Sequence, residues 1–311
     1  MSHYLAFFGG LVGLVFFADQ FVKGSSAIAK IYKIPPVIIG VVLLGFGTSL
    51  PESLVSITAA RTGDLDIGVG NIIGSNVANL GLVMACAVTF TKILIPRSVV
   101  SKEGLLTLGS SVALTLVLVN ESISRIEGFS LLIGGAFVLL YILRNNPPNG
   151  TATSEKSDYQ VSAEMFRVVS GLAGTVIGAF FTVRGAAGLA ESWGITGGFV
   201  GFLLIAMGTS LPELVTTISC ARRGETDLII GNLFGSNIFN CLLVGGLMGI
   251  AGPGQISDPS LTGKGLFFML LITITLLALT ANKKPIGRSG GALLFILYLL
   301  AATFLGINSS I

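Results

Sequence analysis

The chain has 311 residues, of which 52% are hydrophobic and 11% charged, with a mean hydropathy of +0.89 and a formal net charge of +3. A soluble globular domain carries about a quarter charged residues, so the composition excludes one and places the chain in a membrane. The basic residues are scattered over short segments without interleaved aromatics, which excludes a nucleic-acid interface. His3 is the single histidine, and Cys86, Cys220 and Cys241 form no Cys-x-x-Cys pair, so the cysteines read as buried, inert thiols rather than a zinc site or disulfide framework.

A hydrocarbon core about 30 Å thick takes roughly 20 apolar residues in a helix, and the apolar runs here are helix-long rather than alternating, against a β-barrel. They predict ten spans, at 4–29, 35–60, 67–91, 103–120, 126–143, 165–190, 196–220, 227–250, 264–281 and 289–307. The first lacks the basic leader and cleavage site of a secretory signal and reads as a retained helix. It carries Asp19 four residues before Lys23, a spacing for an ion pair on a helix surface; a gating role is the alternative.

The second span contains GFGTSLPES, Gly45 to Ser53, which sets a proline and an ionisable glutamate inside apolar sequence. Pro51 cannot donate a backbone N–H and its ring collides with the carbonyl of Gly47, so the helix should bend and release carbonyl oxygens, with the Thr48 and Ser49 hydroxyls beside them. A central membrane charge costs about 2.5–3.5 kcal/mol, so Glu52 asks for a compensating role. In the third span, GNIIGSNVAN places Asn71, Ser75 and Asn79 at i, i+4 and i+8, near one helix face. Gly70 and Gly74 make a small-xxx-small face for close helix approach. The fourth and fifth spans carry no such motif, and Asn145–Ser162 is polar, Pro- and Gly-bearing, and suits a connector.

The second half repeats the first. An offset of 161 residues carries Gly47–Glu52 onto Gly208–Glu213 and Gly70–Asn79 onto Gly231–Asn240 without a gap, and Gly24 and Gly40 onto Gly185 and Gly201. Pro212, Glu213, Thr209 and Ser210 thus repeat the kink and its oxygens, and Asn232, Ser236 and Asn240 repeat the polar face. The last two spans of each half match only in hydropathy and length. The chain reads as an all-α integral membrane protein of ten helices in two five-helix repeats, 1–144 and 164–311, joined by a linker at 145–163. Five is odd, so the second repeat enters the membrane from the opposite side. Inverted repeats are typical of secondary transporters, with the substrate site near the midplane. Of the 18 Lys and Arg residues, 14 fall on the linker side, which predicts a cytoplasmic linker and both termini outside a cell membrane.

Two carboxylates, hydroxyls, amides and freed carbonyls, without imidazole or sulfur, suit hard cations: calcium or sodium ahead of magnesium. An empty pair of facing carboxylates is costly in low dielectric, which favours one ion species displacing another. A pore, a proton-coupled carrier or an intramembrane acid–base pair could use the same two acids; the last lacks any substrate motif.

At these doubled motifs the chain resembles the sodium/calcium exchanger family of the calcium/cation antiporter superfamily, over essentially its whole length. The resemblance implies an antiporter with sodium and calcium as its transported ions, no cofactor and no obligate protein partner beyond the bilayer, working by alternating access. It implies that Glu52 and Glu213 hold calcium and face sodium, and that Thr48, Ser49, Ser75, Thr209, Ser210 and Ser236, the amides Asn79 and Asn240, and the carbonyls near Gly45 and Ala206 complete the sites. Potassium-dependent relatives typically carry an aspartate where this chain has Asn240, which implies potassium independence. Potassium- or proton-coupled exchange, or a cation channel, are the alternatives.

Overall fold

The computed structural model describes residues 3–145, 158–192, 208–280 and 284–306. Helix α1 (His3–Tyr32) stops where Lys33 takes a positive φ of 52° and two prolines come after it. Pro36 then opens α2 (Pro36–Thr48), a position where its missing N–H costs nothing. At Ser49, with φ −84° and ψ 7°, the chain breaks by 43° into α3 (Leu50–Arg61). The bend expected from Pro51 is therefore present. Gly63, at φ +83°, turns the chain into α4 (Leu65–Phe90), whose first turn is capped by Asp64 accepting from the Ile67 N–H at 3.3 Å.

The remaining helices are α5 (97–118), α6 (Arg125–Asn145), α7 (Asp158–Ser192), α8 (Leu211–Arg223), α9 (Thr226–Ala251), α10 (Leu261–Thr280) and α11 (Arg288–Gly306). Seven of the described helices are long and apolar enough to cross a membrane, or eight with the bent α2–α3 pair counted as one span. The predicted boundaries hold to within a few residues except at α5, which begins at 97 rather than 103, and at α7, which begins at Asp158 rather than 165 and so takes in the end of the predicted linker. At α5 Pro96 starts the helix and its first turns absorb Arg97, Lys102 and Glu103, charges at which an apolar run ends but a helix need not. The start of the predicted seventh span, 196–207, and most of the linker lie outside the described residues.

Burial sorts the helices. In α4 and α9, 72% and 78% of the most apolar window is buried within the protein, against 17% for α6 and 22% for α11. The motif-bearing helices are thus the centre, while α6 and α11 turn most of their surface to lipid. The packing also interlocks the halves. Gly81 and Gly291 bring α4 against α11, and Gly128, Gly246 and Gly249 bring α9 against α6. A short antiparallel pair, β1 (Ser122–Ile123) with β2 (Gly254–Gln255), ties the same two halves at one end, and a single bridge, Ile93 to Ile286, ties them elsewhere.

Four π-helical turns interrupt these helices in matched pairs. Asn79–Val83 and Asn240–Val244 fall at the same register of α4 and α9, and Val100–Gly104 and Leu261–Gly265 at that of α5 and α10. The 161-residue offset relates both pairs. Likeness between the halves therefore extends into helices whose sequences match only in hydropathy.

Around the centre, backbones approach where side chains are missing. A Cβ on Gly40 would lie 2.8 Å from Gly231 Cα, one on Gly45 would lie 2.7 Å from the Ser236 N, and one on Gly235 would lie 2.6 Å from the Val41 Cα. The π turn of α2 (Gly40–Gly45) thus runs in backbone contact with α9. Since the obstructing atoms are backbone, Gly40→Ala should force the helices apart and destabilise by about 1–3 kcal/mol, the usual cost of overpacking. Thermal unfolding in detergent checks this against Gly9→Ala, whose added methyl meets nothing within 4 Å among the described residues.

Candidate functional site

The break at Ser49 has a twin. Ser210, at φ −87° and ψ 3°, precedes α8 as Ser49 precedes α3, and each is followed by Leu-Pro-Glu. Both breaks present Glu52 and Glu213 in the first turn of a new helix, and both glutamates are fully buried, at 0% exposure. They are joined across the two halves: Ser49, three residues before Glu52, faces Glu213, and Thr209, four residues before Glu213, donates to Asn71, which donates to the Glu52 carbonyl. Each is also reached by hydroxyls of other helices. Ser75 on α4 points at Glu52 Oε1 at 3.4 Å, and Ser49 from the opposite break points at Glu213 Oε1 at 3.4 Å.

These contacts are longer than the roughly 2.5–3.0 Å of a well-made O–H···O bond. A hydroxyl that faces a carboxylate turns its O–H toward it, so the lone pairs of Ser75 and Ser49 stay free to meet a cation. Thr48 donates instead to the Leu44 carbonyl at 2.9 Å and sits 3.5 Å from the Ser236 hydroxyl, which reaches the Gly45 carbonyl at 3.3 Å. Thr209 donates to Asn71 Oδ1 at 3.1 Å. The structure therefore gathers Glu52, Glu213, Thr48, Thr209, Ser49, Ser210, Ser75, Ser236 and the Gly45 carbonyl into one buried centre, whereas Ala206 lies outside the described residues.

Asn71 and Asn232 brace the site rather than leave oxygens free. Asn71 donates to the Glu52 carbonyl at 3.1 Å and to Ser56 at 2.9 Å, while its oxygen accepts from Thr209. Asn232 donates to Thr217 at 3.1 Å, and its oxygen faces Thr48 at 3.4 Å. The two amides thereby tie each broken segment to the helix of its own half and to the broken segment of the other.

Asn79 and Asn240 stand two turns farther along, each opening a π turn. Asn79 donates to Asn237 Oδ1 at 3.1 Å, and Asn237 donates to the Asn76 carbonyl at 3.2 Å. Asn76 and Asn237, related by the same offset, are site residues that the sequence reading misses, although their place in the doubled Gly-Ser-Asn is a signal for them. Cys241, read as inert, accepts from Asn76 at 3.0 Å. Among the described residues, several fully buried oxygens have no hydrogen-bond partner: Glu52 Oε2, Glu213 Oε2, Asn76 Oδ1, Asn79 Oδ1, Asn240 Oδ1 and Ser210 Oγ. Unmatched acceptors buried together are costly unless a cation or donor meets them. This donor set, oxygen throughout with two negative charges, could hold hard cations such as calcium or sodium.

A cavity of about 510 Å³ between α3 and α7 ends on Pro51, Gly208 and Thr209, so space leads to the edge of the centre. Phe180 and Arg184 also line it. Asp19 lies elsewhere, between α1 and α8. It pairs with Lys23 at 2.9 Å as its spacing predicts, and also with Arg223 at 2.6 Å and Ser219 at 3.1 Å.

The profile of the family described as sodium/calcium exchanger protein matches residues 2–144 and 164–306, nearly the whole chain. The chain belongs to the sodium/calcium exchanger family. Sodium/calcium exchanger MaX1 of Methanosarcina acetivorans is 31% identical, over 93% of this chain and 94% of that one. The inner membrane protein YrbG of Escherichia coli is 34% identical over 93% of each chain. Among solved structures, the sodium-calcium exchanger NCX_Mj, studied for extracellular ion exchange and binding-site occlusion, superposes with a TM-score of 0.89 at 28% identity, covering 97% of this exchanger and 98% of that chain. Family members are transporters rather than enzymes.

Because Asn71 serves three partners, Asn71→Ala should remove three buried hydrogen bonds in this exchanger, those to the Glu52 carbonyl and the Ser56 hydroxyl and the one from Thr209. The expected loss is at least about 1–3 kcal/mol, seen as a lower midpoint of thermal unfolding, whereas Thr62→Ala at an exposed helix end should leave the midpoint nearly unchanged.

Proposed function

We propose that this chain is a secondary antiporter that exchanges sodium for calcium, with Glu52 and Glu213 as the charged ligands of a shared site. The observation that carries the reading is the full burial of one carboxylate from each half in one oxygen-lined centre. Two negative charges balance one calcium ion or two sodium ions, so either load removes a repulsion that the empty site would suffer. Neutral oxygens from Thr48, Thr209, Ser49, Ser210, Ser75, Ser236, Asn79, Asn240 and the carbonyls of Gly45 and Ala206 supply the remaining coordination.

The same reading takes the chain as ten membrane helices in two inverted five-helix repeats, 1–144 and 164–311, with a cytoplasmic linker at 145–163 and both termini outside the cell membrane. The doubled motifs, the paired π turns and the excess of basic residues on one side support it. Access then alternates between the two sides of the centre, with the cavity that ends on Thr209 serving one of them. Exchange is potassium-independent, because Asn79 and Asn240 are amides and the site carries two carboxylates rather than three. Neutral donors well in excess of the two carboxylates leave room for more sodium than charge balance requires, which makes exchange electrogenic.

Protein reconstituted into sodium-loaded vesicles is expected to accumulate labelled calcium when the outside is sodium-free, and to stop when sodium is equal on both sides. Uptake that ignores the sodium gradient would identify a channel. Glu52→Gln and Glu213→Gln should each reduce sodium-driven uptake to the level of empty vesicles, and near-normal exchange in either removes that residue from the site. Replacing external choline by potassium should leave the rate unchanged, while Asn240→Asp, which adds a third carboxylate, should change ion affinity or introduce a potassium response. An inside-positive potential should speed calcium uptake, and a rate independent of potential would count against electrogenic exchange.

A further inference from the structure

A second groove, with a cavity of about 980 Å³, runs along the outside of the protein between α1 and α8 and touches none of the residues of the ion centre. Its two ends differ in chemistry. One end is walled by Leu11, Val12 and Val15 of α1 and Val215 of α8, with Val12 71% exposed. The other end holds Asp19, Arg222 and Arg223. The eight residues of helix from Leu11 to Asp19 span about 12 Å, so an apolar slot of that length leads up to a polar end.

The polar end has surplus positive charge. Lys23 and Arg223 both pair with Asp19, at 2.9 and 2.6 Å. Two cations therefore share one carboxylate. Arg222 is exposed and has no ion pair among the described residues. The next acid along, Glu225, has its own partners in Lys30 at 3.8 Å and Ser26 at 2.6 Å. Arg222 also stands in the last turn of α8, just before Gly224 at φ +72° ends the helix, where an arginine reaches the headgroup layer.

The geometry points to a binding site for an anionic phospholipid, with its phosphate on Arg222 and an acyl chain laid along Leu11, Val12 and Val15. A zwitterionic lipid could fill the slot equally well, but its choline or ethanolamine would find the surplus arginine charge unhelpful. Charge complementarity at the polar end therefore selects the anionic headgroup, and the apolar slot selects a lipid over a free anion. The middle of α1 and the last turn of α8 are held together by the Asp19–Arg223 pair, so an occupied site also reinforces that junction.

The test uses the full chain taken into vesicles of equal parts phosphatidylglycerol and phosphatidylcholine, then extracted, with retained lipid counted by native mass spectrometry. Wild-type protein should retain phosphatidylglycerol over phosphatidylcholine by about fivefold, the equivalent of the roughly 1 kcal/mol that one interfacial basic residue contributes. Arg222→Gln should bring that ratio to about one. Val15→Trp, which fills the slot and keeps the charge, should reduce retention of both lipids. Glycerol phosphate, which has the charge without the chains, should leave the wild-type ratio unchanged. A wild-type ratio near one, an unchanged preference in Arg222→Gln, unchanged retention in Val15→Trp, or displacement by glycerol phosphate overturns the assignment. The readout is lipid mass and not ion flux, so its outcome is separate from that of the exchange reading.

Discussion

Two carboxylates removed from water inside a membrane protein are the constraint around which the rest is arranged. Each costs about 2.5–3.5 kcal/mol on insertion scales when placed centrally, and their mutual repulsion adds to that. Nothing among the described residues offsets them by direct ion pairing, since the four ion pairs all lie elsewhere. The local structure supplies oxygens instead. Helices break at Ser49 and Ser210, hydroxyls approach at 3.4 Å without committing, and the amides of Asn71 and Asn232 fasten the broken segments. On the proposed reading, a cation inside the centre offsets that cost.

The close backbone contacts arise from the same demand. For Ser236 of α9 to reach the Gly45 carbonyl of α2, the two helices must nearly touch, and Gly40, Gly45, Gly231 and Gly235 are where they do. A side chain at any of these would widen the centre by the thickness of a methyl group. The π turns at Asn79 and Asn240 act at the next level. Each extra residue in the turn rotates the remainder of its helix, and such turns recur at functional sites. Here they open at Asn79 and Asn240, two of the three asparagines that carry unmatched oxygens among the described residues.

Much of this is legible in the sequence because it repeats. Pro51 and Pro212 announce the breaks, Glu52 and Glu213 the charge, and one gapless offset pairs them. Less is legible where the chemistry depends on the partner across the interface. Asn71 and Asn79 stand two turns apart on one helix face and look equivalent, yet Asn71 is consumed as a brace while Asn79 keeps an unmatched oxygen. Only the neighbouring helix decides between those outcomes. Asn76 and Asn237 lie off the i, i+4, i+8 row and escape a search for one polar face, because α4 and α9 are buried on nearly every side and have no idle face. The π turns leave no signal in residue type at all. At α5 the charges of Arg97 and Lys102 hide the start of the helix, which lies six residues before the apolar run begins.

The departures from symmetry say what the repeats do not share. Position 19 is an aspartate where its counterpart, 180, is a phenylalanine, and position 223 is an arginine where its counterpart, 62, is a threonine. The cleft between α1 and α8 is thus pinned by an ion pair, while the equivalent cleft between α7 and α3 is lined mostly by apolar side chains, with Arg184 among them, and reaches Thr209. On the proposed reading both halves face the same cation, so the ion ligands are duplicated. The clefts face opposite membrane surfaces on the inverted-repeat reading, so nothing requires them to match. A duplicated protein can therefore hold its site constant and vary its two mouths, one pinned by charge and one left apolar. This asymmetry resides in residues that never touch the ion.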